Sequence, residues 1–288
     1  MKKILIIGIK GMAGHMLYNV LPTLSNYDVY GLARGVVASD SVFNVDVSDT
    51  SALKKIVQEN NFYAIINCIG ILNADAEDNP SKAIWFNSYF PHYLEEITAG
   101  TETRVVHIST DCVFSGKEGN YTELDFKNGV GFYAQSKALG ELDNKKDVTV
   151  RTSIIGPELN TNGIGLFHWF MKQSESDTIK GYNRAFWSGI TTLELARVID
   201  EILKQDISGL IQVAHEEKID KYSLLQLFNN IFRDGFMQIV PFDGYQIDKS
   251  LRSVRADFNY IVPSYEQMLN DQRSWMLQNS QLYDYKLN

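Results

Sequence analysis

Short apolar runs alternate with stretches of helical periodicity along the first half of the chain. Ile4–Ile7 reads as a strand, followed by a glycine-punctuated turn and a helix from about Met12 to Leu21. Asp28–Leu32 and Val42–Val47 read as the second and third strands. Asp49 or Thr50 then caps a helix running to about Glu59. Tyr63–Ile69, rich in β-branched residues, is a fourth strand. The 3.6-residue period over Pro80–Thr98 predicts one long helix. Arg104–Ser109 is a fifth strand, Phe132–Asn144 the next helix and Val148–Ser153 a sixth strand. This rhythm predicts an α/β fold, a doubly wound parallel sheet with helices on both faces. Right-handed crossovers then place ligands beyond the carboxyl ends of the strands.

After Gly156 the rhythm breaks. Pro157–Gly163 is a polar loop, Leu166–Ser174 a short helix, Leu193–Lys204 an amphipathic helix and Leu210–Ala214 a last sheet strand. From His215 onward the pattern is irregular and aromatic-rich, with a helix near Ser223–Phe232. The expected organisation is a Rossmann-type domain over 1–154 plus about 183–214. A smaller mixed α/β substrate-binding cap is expected over about 155–182 plus 215–288.

Composition narrows the class. The 288 residues suffice for both parts, and 44% hydrophobic with 22% charged residues is ordinary for a soluble globular protein. A net charge of −8 argues against a broad nucleic-acid footprint, but allows one anionic small ligand at a helix N-terminus. Lys2 and Lys3 precede an apolar run that Lys10 interrupts, so Ile4–Ile7 fits a buried strand better than a secretory segment. No run approaches the ~18–20 apolar residues of a membrane span. Two cysteines, Cys68 and Cys112, and five scattered histidines offer no zinc or disulfide framework. A cytoplasmic protein is expected, a monomer or homodimer, with no metal, no nucleic acid and no membrane partner.

The chemistry starts at Gly8-Ile9-Lys10-Gly11-Met12-Ala13-Gly14, which follows the first strand and opens the first helix. Gly8 permits the tight turn, Gly11 lets backbone approach a pyrophosphate and Gly14 lets helix pack on strand. The phosphates would lie against the amides of this turn, Met12 and Ala13 included, at the positive end of the helix dipole. The second strand ends Tyr30-Gly31-Leu32-Ala33-Arg34, with no acid to take a ribose 2′-hydroxyl. Arg34 can instead pair with a 2′-phosphate, or be an ordinary surface charge. NADPH is therefore the expected cofactor, with NADH the alternative. Asp46 and Val47 are placed to border the adenine, although Asp46 also suits a helix cap.

Tyr133-Ala134-Gln135-Ser136-Lys137 places a phenol and an ammonium four residues apart on one helix face. Such an ammonium would lower the phenol's pKa towards working pH, as a general acid for a carbonyl oxygen requires. Tyr245 and Lys249 repeat the spacing, but they follow Pro241-Phe242-Asp243-Gly244, where no strand is expected. Tyr133 instead follows Ile108-Ser109-Thr110-Asp111 at the end of the fifth strand, where a hydroxyl can reach a substrate.

These pieces resemble the extended short-chain dehydrogenases/reductases, and within them the dTDP-4-dehydrorhamnose reductase family. The matching segments are Gly8–Gly14, Asn67-Cys68-Ile69-Gly70, Asn87, Ser109–Gly116, Tyr133–Lys137 and Arg151-Thr152-Ser153. The resemblance implies that Tyr133 protonates the substrate oxygen and Thr110 orients it. It implies that Lys137 holds the nicotinamide ribose, that Asn87 supports the active-site helix and a nearby water, and that Cys68, Ile69 and Gly70 border the cofactor. It also implies a keto nucleotide sugar as substrate, bound near Thr110 and Asp111. Lys249 and Arg255, in a segment similar to the family's C-terminal one, are candidates for the sugar's pyrophosphate. Cys112 stands where related dehydratases resemble one another in a glutamate, which disfavours dehydration. Ile154 replaces a tryptophan frequent in the family. The implied activity is NADPH-dependent reduction of a 4-keto-6-deoxy nucleotide sugar for cell-surface polysaccharide. The alternative is a non-catalytic NADP-binding subunit resembling the regulatory subunit of methionine adenosyltransferase.

Overall fold

A computed structural model describes residues 1–287. Seven parallel strands form the main sheet. They are β1 (Lys2–Ile7), β2 (Tyr27–Ala33), β3 (Val42–Asn44), β4 (Ala64–Asn67), β5 (Arg104–Thr110), β6 (Val148–Thr152) and, later in the chain, β10 (Gly209–Gln212). Their spatial order is β3-β2-β1-β4-β5-β6-β10, so the winding reverses direction between β1 and β4. A ligand crevice opens where neighbouring crossovers leave for opposite faces.

Strand alternation explains both faces. Ile4 and Ile6 of β1 pack with Met16, Leu17 and Val20 of α1 (Met12–Leu24). On the same face lie Leu195, Val198 and Ile202 of an amphipathic helix, α8 (Thr192–Lys204). Leu5 and Ile7 point the other way, onto Leu53 and Val57 of α2 (Thr50–Asn60), which Asp49 caps by accepting from Ala52 N–H. Also on that face are Phe90, Leu94 and Ile97 of a helix that does not begin at Pro80.

The single helix expected over Pro80–Thr98 is in fact interrupted. It comprises α4 (Pro80–Ala83), a π-helical turn over Ile84–Tyr89 and α5 (Phe90–Ile97), and α3 (Asn73–Asp78) precedes it. The extra residue of a π turn rotates the helix beyond it, and here the turn buries Asn87 and Ser88 against the helix that carries Tyr133 and Lys137. That helix, α6 (Phe132–Leu139), is shorter than expected. It stops at Gly140, where a Cβ would stand 1.9 Å from the Asn87 carbonyl oxygen. The third strand also ends early, at Asn44, whose side chain accepts from Gly35 N–H.

The cap holds the largest departures from the sequence pattern. A three-stranded sheet runs β11-β8-β12, with β8 (Thr178–Trp187), β11 (Ile219–Asp220) and β12 (Gln238–Asp248). The boundary expected near residue 183 falls inside β8. Its alternation is disguised by Gly181, where α9 (Lys221–Phe232) comes so close that a Cβ would meet Tyr222 Cα at 2.7 Å. In β12 the turn-like Pro241, Asp243 and Gly244 sit on an edge strand whose register shifts between Phe242 and Gln246. Two-residue strands β7 (Ile154–Ile155) and β9 (Ile190–Thr191) pair beside the main sheet, and α7 (Leu166–Met171) packs on α9. The predominantly polar helix α10 (Tyr265–Gln278) packs on α8, β9 and α9. No helix among the described residues is long and apolar enough to cross a membrane.

Candidate active site

The glycine turn after β1 is built as a cradle. Gly8 takes φ +94° and its N–H donates to Leu32 O at 2.8 Å, while Gly11 N–H donates to Gly8 O at 2.9 Å. A Cβ on Gly14 would stand 2.2 Å from that same Gly8 oxygen, so only glycine lets α1 start this close. A Cβ on Gly11 would meet nothing nearer than 3.4 Å, because Gly11 faces open space. No side chain caps α1. Met12 and Ala13 supply first-turn backbone; Ala13's side chain lies in the core.

A cleft of about 470 Å³ opens on this turn. It is lined by Gly8, Gly11, Arg34, Asp46 and Val47, and across the crevice by Cys68, Ile69 and Gly70. Its size and open polar edge fit a dinucleotide. Arg34 Nη1 lies 3.4 Å from Asp46 Oδ2, with the two side chains 78% and 40% exposed. Asp46 also accepts from Ser48 N–H and Oγ–H, which hold its carboxyl below the ordinary carboxylate range. Lys10, missed in the sequence, lines the cleft beside Arg34, so the strand-two end carries two cations. Cys68, by contrast, is buried enough to raise its thiol to about 12.

The expected catalytic residues lie next to this cleft. Thr110 ends β5, accepts from Cys112 N–H at 3.1 Å and donates to Asp111 Oδ1 at 3.1 Å. Tyr133, in the first turn of α6, hydrogen-bonds Thr110. Burial raises the Asp111 carboxyl above its usual range, opposed by the Lys249 charge. Lys137 Nζ donates to Ile108 O at 2.7 Å and lies 3.2 Å from His107 Nε2. Burial pushes Lys137 down to about 8, against the pull of Glu141 and Cys68.

Here one expectation is overturned. Lys137 does not lower the phenol's pKa in this state, because its ammonium position is turned onto β5. Burial, with the neighbouring Cys112 and Asp111, raises Tyr133 above its ordinary value, and the Thr110 hydrogen bond offsets only part of this. Tyr133 is a proton holder rather than a ready phenolate.

Two features fix α6, and of these the sequence disclosed only Asn87. Gly131 offers no cap, and Glu77 of α3 instead accepts from Phe132 N–H and Tyr133 N–H, each at 3.1 Å. Buried Asn87 spends its amide on Ile71 N–H at 2.8 Å, Ile71 O at 2.9 Å and Ser136 Oγ at 3.0 Å. It thereby joins the loop after β4 to α6.

A second pocket, of about 270 Å³, lies under the cap. Asp111, Cys112, Ile154, Lys221 and Lys249 line it, together with the aromatic side chains of Tyr182, Phe186, Trp187 and Tyr245. Lys249 Nζ lies 3.3 Å from Cys112 Sγ. Tyr245 is therefore on strand β12 and in the pocket, contrary to the expectation that the second tyrosine–lysine pair stands apart from any strand. Arg255 is the other correction. Its Nη1 donates to Ser208 O and Leu210 O at 3.0 and 2.9 Å, and Asp257 pairs with it. These carbonyls flank the amino end of β10, the opposite edge of the sheet from the pocket, so Arg255 is structural and holds no substrate phosphate.

A dinucleotide cleft at the β1–β4 reversal, with a threonine–tyrosine–lysine set at the end of β5, defines an extended short-chain dehydrogenase/reductase architecture. The model of the RmlD substrate binding domain family matches residues 1–247. The chain belongs to that family. It is 27% identical over 184 residues to the probable low-salt glycan biosynthesis reductase Agl14 of Haloferax volcanii, a match covering 61% of each chain. It is 23% identical over 255 residues to the methionine adenosyltransferase 2 subunit beta of Danio rerio, covering 83% of this chain and 77% of that one. The Bacillus anthracis dTDP-4-dehydrorhamnose reductase in complex with NADP superposes with TM-score 0.78. That superposition, at 21% identity, covers 94% of this chain and 98% of the other, and it establishes the shared fold. The match to Agl14 thus spans less than two thirds of that relative's length.

Proposed function

We propose that the protein is an NADPH-dependent reductase of a 4-keto-6-deoxy nucleotide sugar, dTDP-4-dehydrorhamnose or a UDP-linked analogue, serving cell-surface polysaccharide synthesis. One observation carries this reading. Thr110 and Tyr133 are hydrogen-bonded to each other between a dinucleotide-sized cleft and a pocket with lysines and aromatic walls.

The cofactor fits the residues present. The Gly8–Gly14 cradle would take its pyrophosphate, Arg34 and Lys10 its 2′-phosphate, and Lys137 its nicotinamide ribose. When bound, it supplies the hydride. Thr110 then orients the ketone oxygen and Tyr133 gives that oxygen its phenolic proton as negative charge develops there. A phenol held neutral by burial is the form that can do this. In the second pocket, Tyr182 and Tyr245, with ring centroids 5.4 Å apart, form a platform for a base. Lys249 and Lys221 supply charge for the diphosphate. Cys112, its thiol raised to about 11 by burial and by Asp111, offers no carboxylate for dehydration.

A non-catalytic NADP-binding subunit is the second reading, favoured by the similarity to the methionine adenosyltransferase subunit over most of both chains. A panel of dTDP-, UDP- and GDP-linked keto sugars with NADPH, followed by product NMR, separates the two. Turnover abolished by Tyr133→Phe supports the reductase. Tight NADPH binding without turnover on any sugar supports the binding subunit.

A further inference from the structure

His107 sits beneath Lys137 in the interior of β5, with no exposed surface. Both ring nitrogens are engaged. Nδ1 lies 3.2 Å from Asn67 Nδ2, and Nε2 lies 3.2 Å from Lys137 Nζ. Asn67, equally buried at the end of β4, accepts from Ile69 N–H at 3.1 Å through Oδ1.

A backbone N–H can only donate, and that fixes the direction of the whole chain. The atom of Asn67 facing Ile69 must be its oxygen, so its amide nitrogen donates to His107 Nδ1. An imidazole that accepts at Nδ1 and is neutral carries its proton on Nε2. Whatever faces Nε2–H must accept. Lys137 can accept only as a free amine, whose lone pair meets Nε2–H while one of its own N–H groups donates to Ile108 O. An ammonium there would set two buried donors against each other. Imidazolium does no better, because it would face the Asn67 amide with a second donor. Burial also keeps His107 neutral.

We infer that His107, steered by Asn67 and Ile69, is a positioning residue that holds Lys137 as a free amine in the cofactor-free protein. The inference deepens the proposed reductase reading and rests on it for the role of Lys137. The other groups bearing on Nζ are Glu141 beyond the end of α6 and Cys68 beyond β4, both of which favour the charged form. Tyr133 shares its helix. The histidine contact acts against the first two, and it is specific to the tautomer rather than to charge alone.

The test needs no substrate, so its failure is distinct from a failure to turn over any sugar. In the intact, cofactor-free protein, 15N NMR of His107 is expected to show a protonated Nε2 and a bare Nδ1. Lys137, followed through its 13Cε resonance, is expected to titrate near or below 8, and in His107→Phe at least tenfold more weakly acidic. Asn67→Asp gives Ile69 N–H and the imidazole a carboxylate that accepts from both. The chain should then reverse, with the His107 proton moving to Nδ1 and Lys137 charged. For turnover, the kcat/KM limb belonging to Lys137 should move in the same direction in both variants, whereas a merely structural histidine would lower kcat without moving it. An Nδ1–H tautomer in the unaltered protein, or an unchanged Lys137 midpoint in a folded His107→Phe, overturns the proposal. The tautomer measurement stands even if neither variant folds.

Discussion

At the scale of single residues the site is a set of commitments made by burial. Tyr133 keeps its proton because burial disfavours the phenolate, and the Thr110 hydrogen bond offsets only part of that. Tyr133→Phe should therefore lower NADPH oxidation by roughly 10²–10⁴-fold, the usual size of a lost general acid, while fluorescence titration shows NADPH binding nearly unchanged. Lys249→Met removes a cation from the pocket under the cap but touches neither Tyr133 nor the glycine turn. A raised KM for the nucleotide sugar with kcat largely kept is the expected pattern, and equal loss in both would place Lys249 in the chemistry instead. The chain's residue types made Thr110, Tyr133 and Lys137 legible, since a hydroxyl, a phenol and an amine at those spacings have few other joint uses. His107 was not legible. Within Val106-His107-Ile108 it reads as one more strand position, and its meaning depends on which atoms β4 and α6 bring to it.

At the scale of elements, what matters is how α6 is held against β5. Glu77 caps its start from α3, and Glu77→Ala is expected to cost about 0.5–2 kcal/mol, towards the lower end because the carboxylate is exposed, with a fall in kcat as Tyr133 loses its register. Urea unfolding and steady-state kinetics would check the two effects together. Beyond its end, Glu141 accepts from Arg151 Nε and Nη2 at 2.8 and 2.7 Å and from Ser109 Oγ at 2.7 Å, which ties α6 to β5 and β6. Burial alone would raise the Glu141 carboxyl, but the Arg151 hydrogen bonds and charge, with Lys127, carry it below its ordinary value of 4.5. A depressed carboxyl stabilises the fold above its unfolded value and loses that contribution as the pH falls through the folded one. Thermal melts should thus show stability falling below about pH 4.5, and Glu141→Gln should flatten that fall while lowering stability at neutral pH. Gly14→Ala tests the other end of the crevice. With its Cβ driven into the Gly8 carbonyl, α1 must shift, and NADPH affinity should drop at least tenfold by calorimetry. The glycines were visible in the sequence because spacing after a strand defines them. The π turn and the Glu77 cap were not, since neither leaves a local pattern.

At the scale of the whole molecule, the last residues join the two parts. Tyr283 OH meets His15 Nε2 on α1 at 2.8 Å, and Tyr285 OH accepts from Glu158 N–H at 2.9 Å and meets His168 Nδ1 on α7 at 2.6 Å. Removing residues 279–288 should lower Tm, at roughly 2–4 °C for each kcal/mol lost in a chain of this size, and loosen the loop from Glu158 to Gly165 that faces the glycine turn. Hydrogen exchange of that loop would show whether the tail holds it.

The order of strands through Val148–Thr152, the glycine turn and the tyrosine–lysine helix were determined by the sequence alone. Each is a local statement: a period, a glycine spacing, two side chains one helical turn apart. The cap sheet, the pocket lined by Tyr182, Lys221, Tyr245 and Lys249, the true place of Arg255 and the protonation of Lys137 were decided only by tertiary structure. Those depend on segments far apart in the chain meeting in one place. Burial, hydrogen-bond direction and pairing register exist only after they have met.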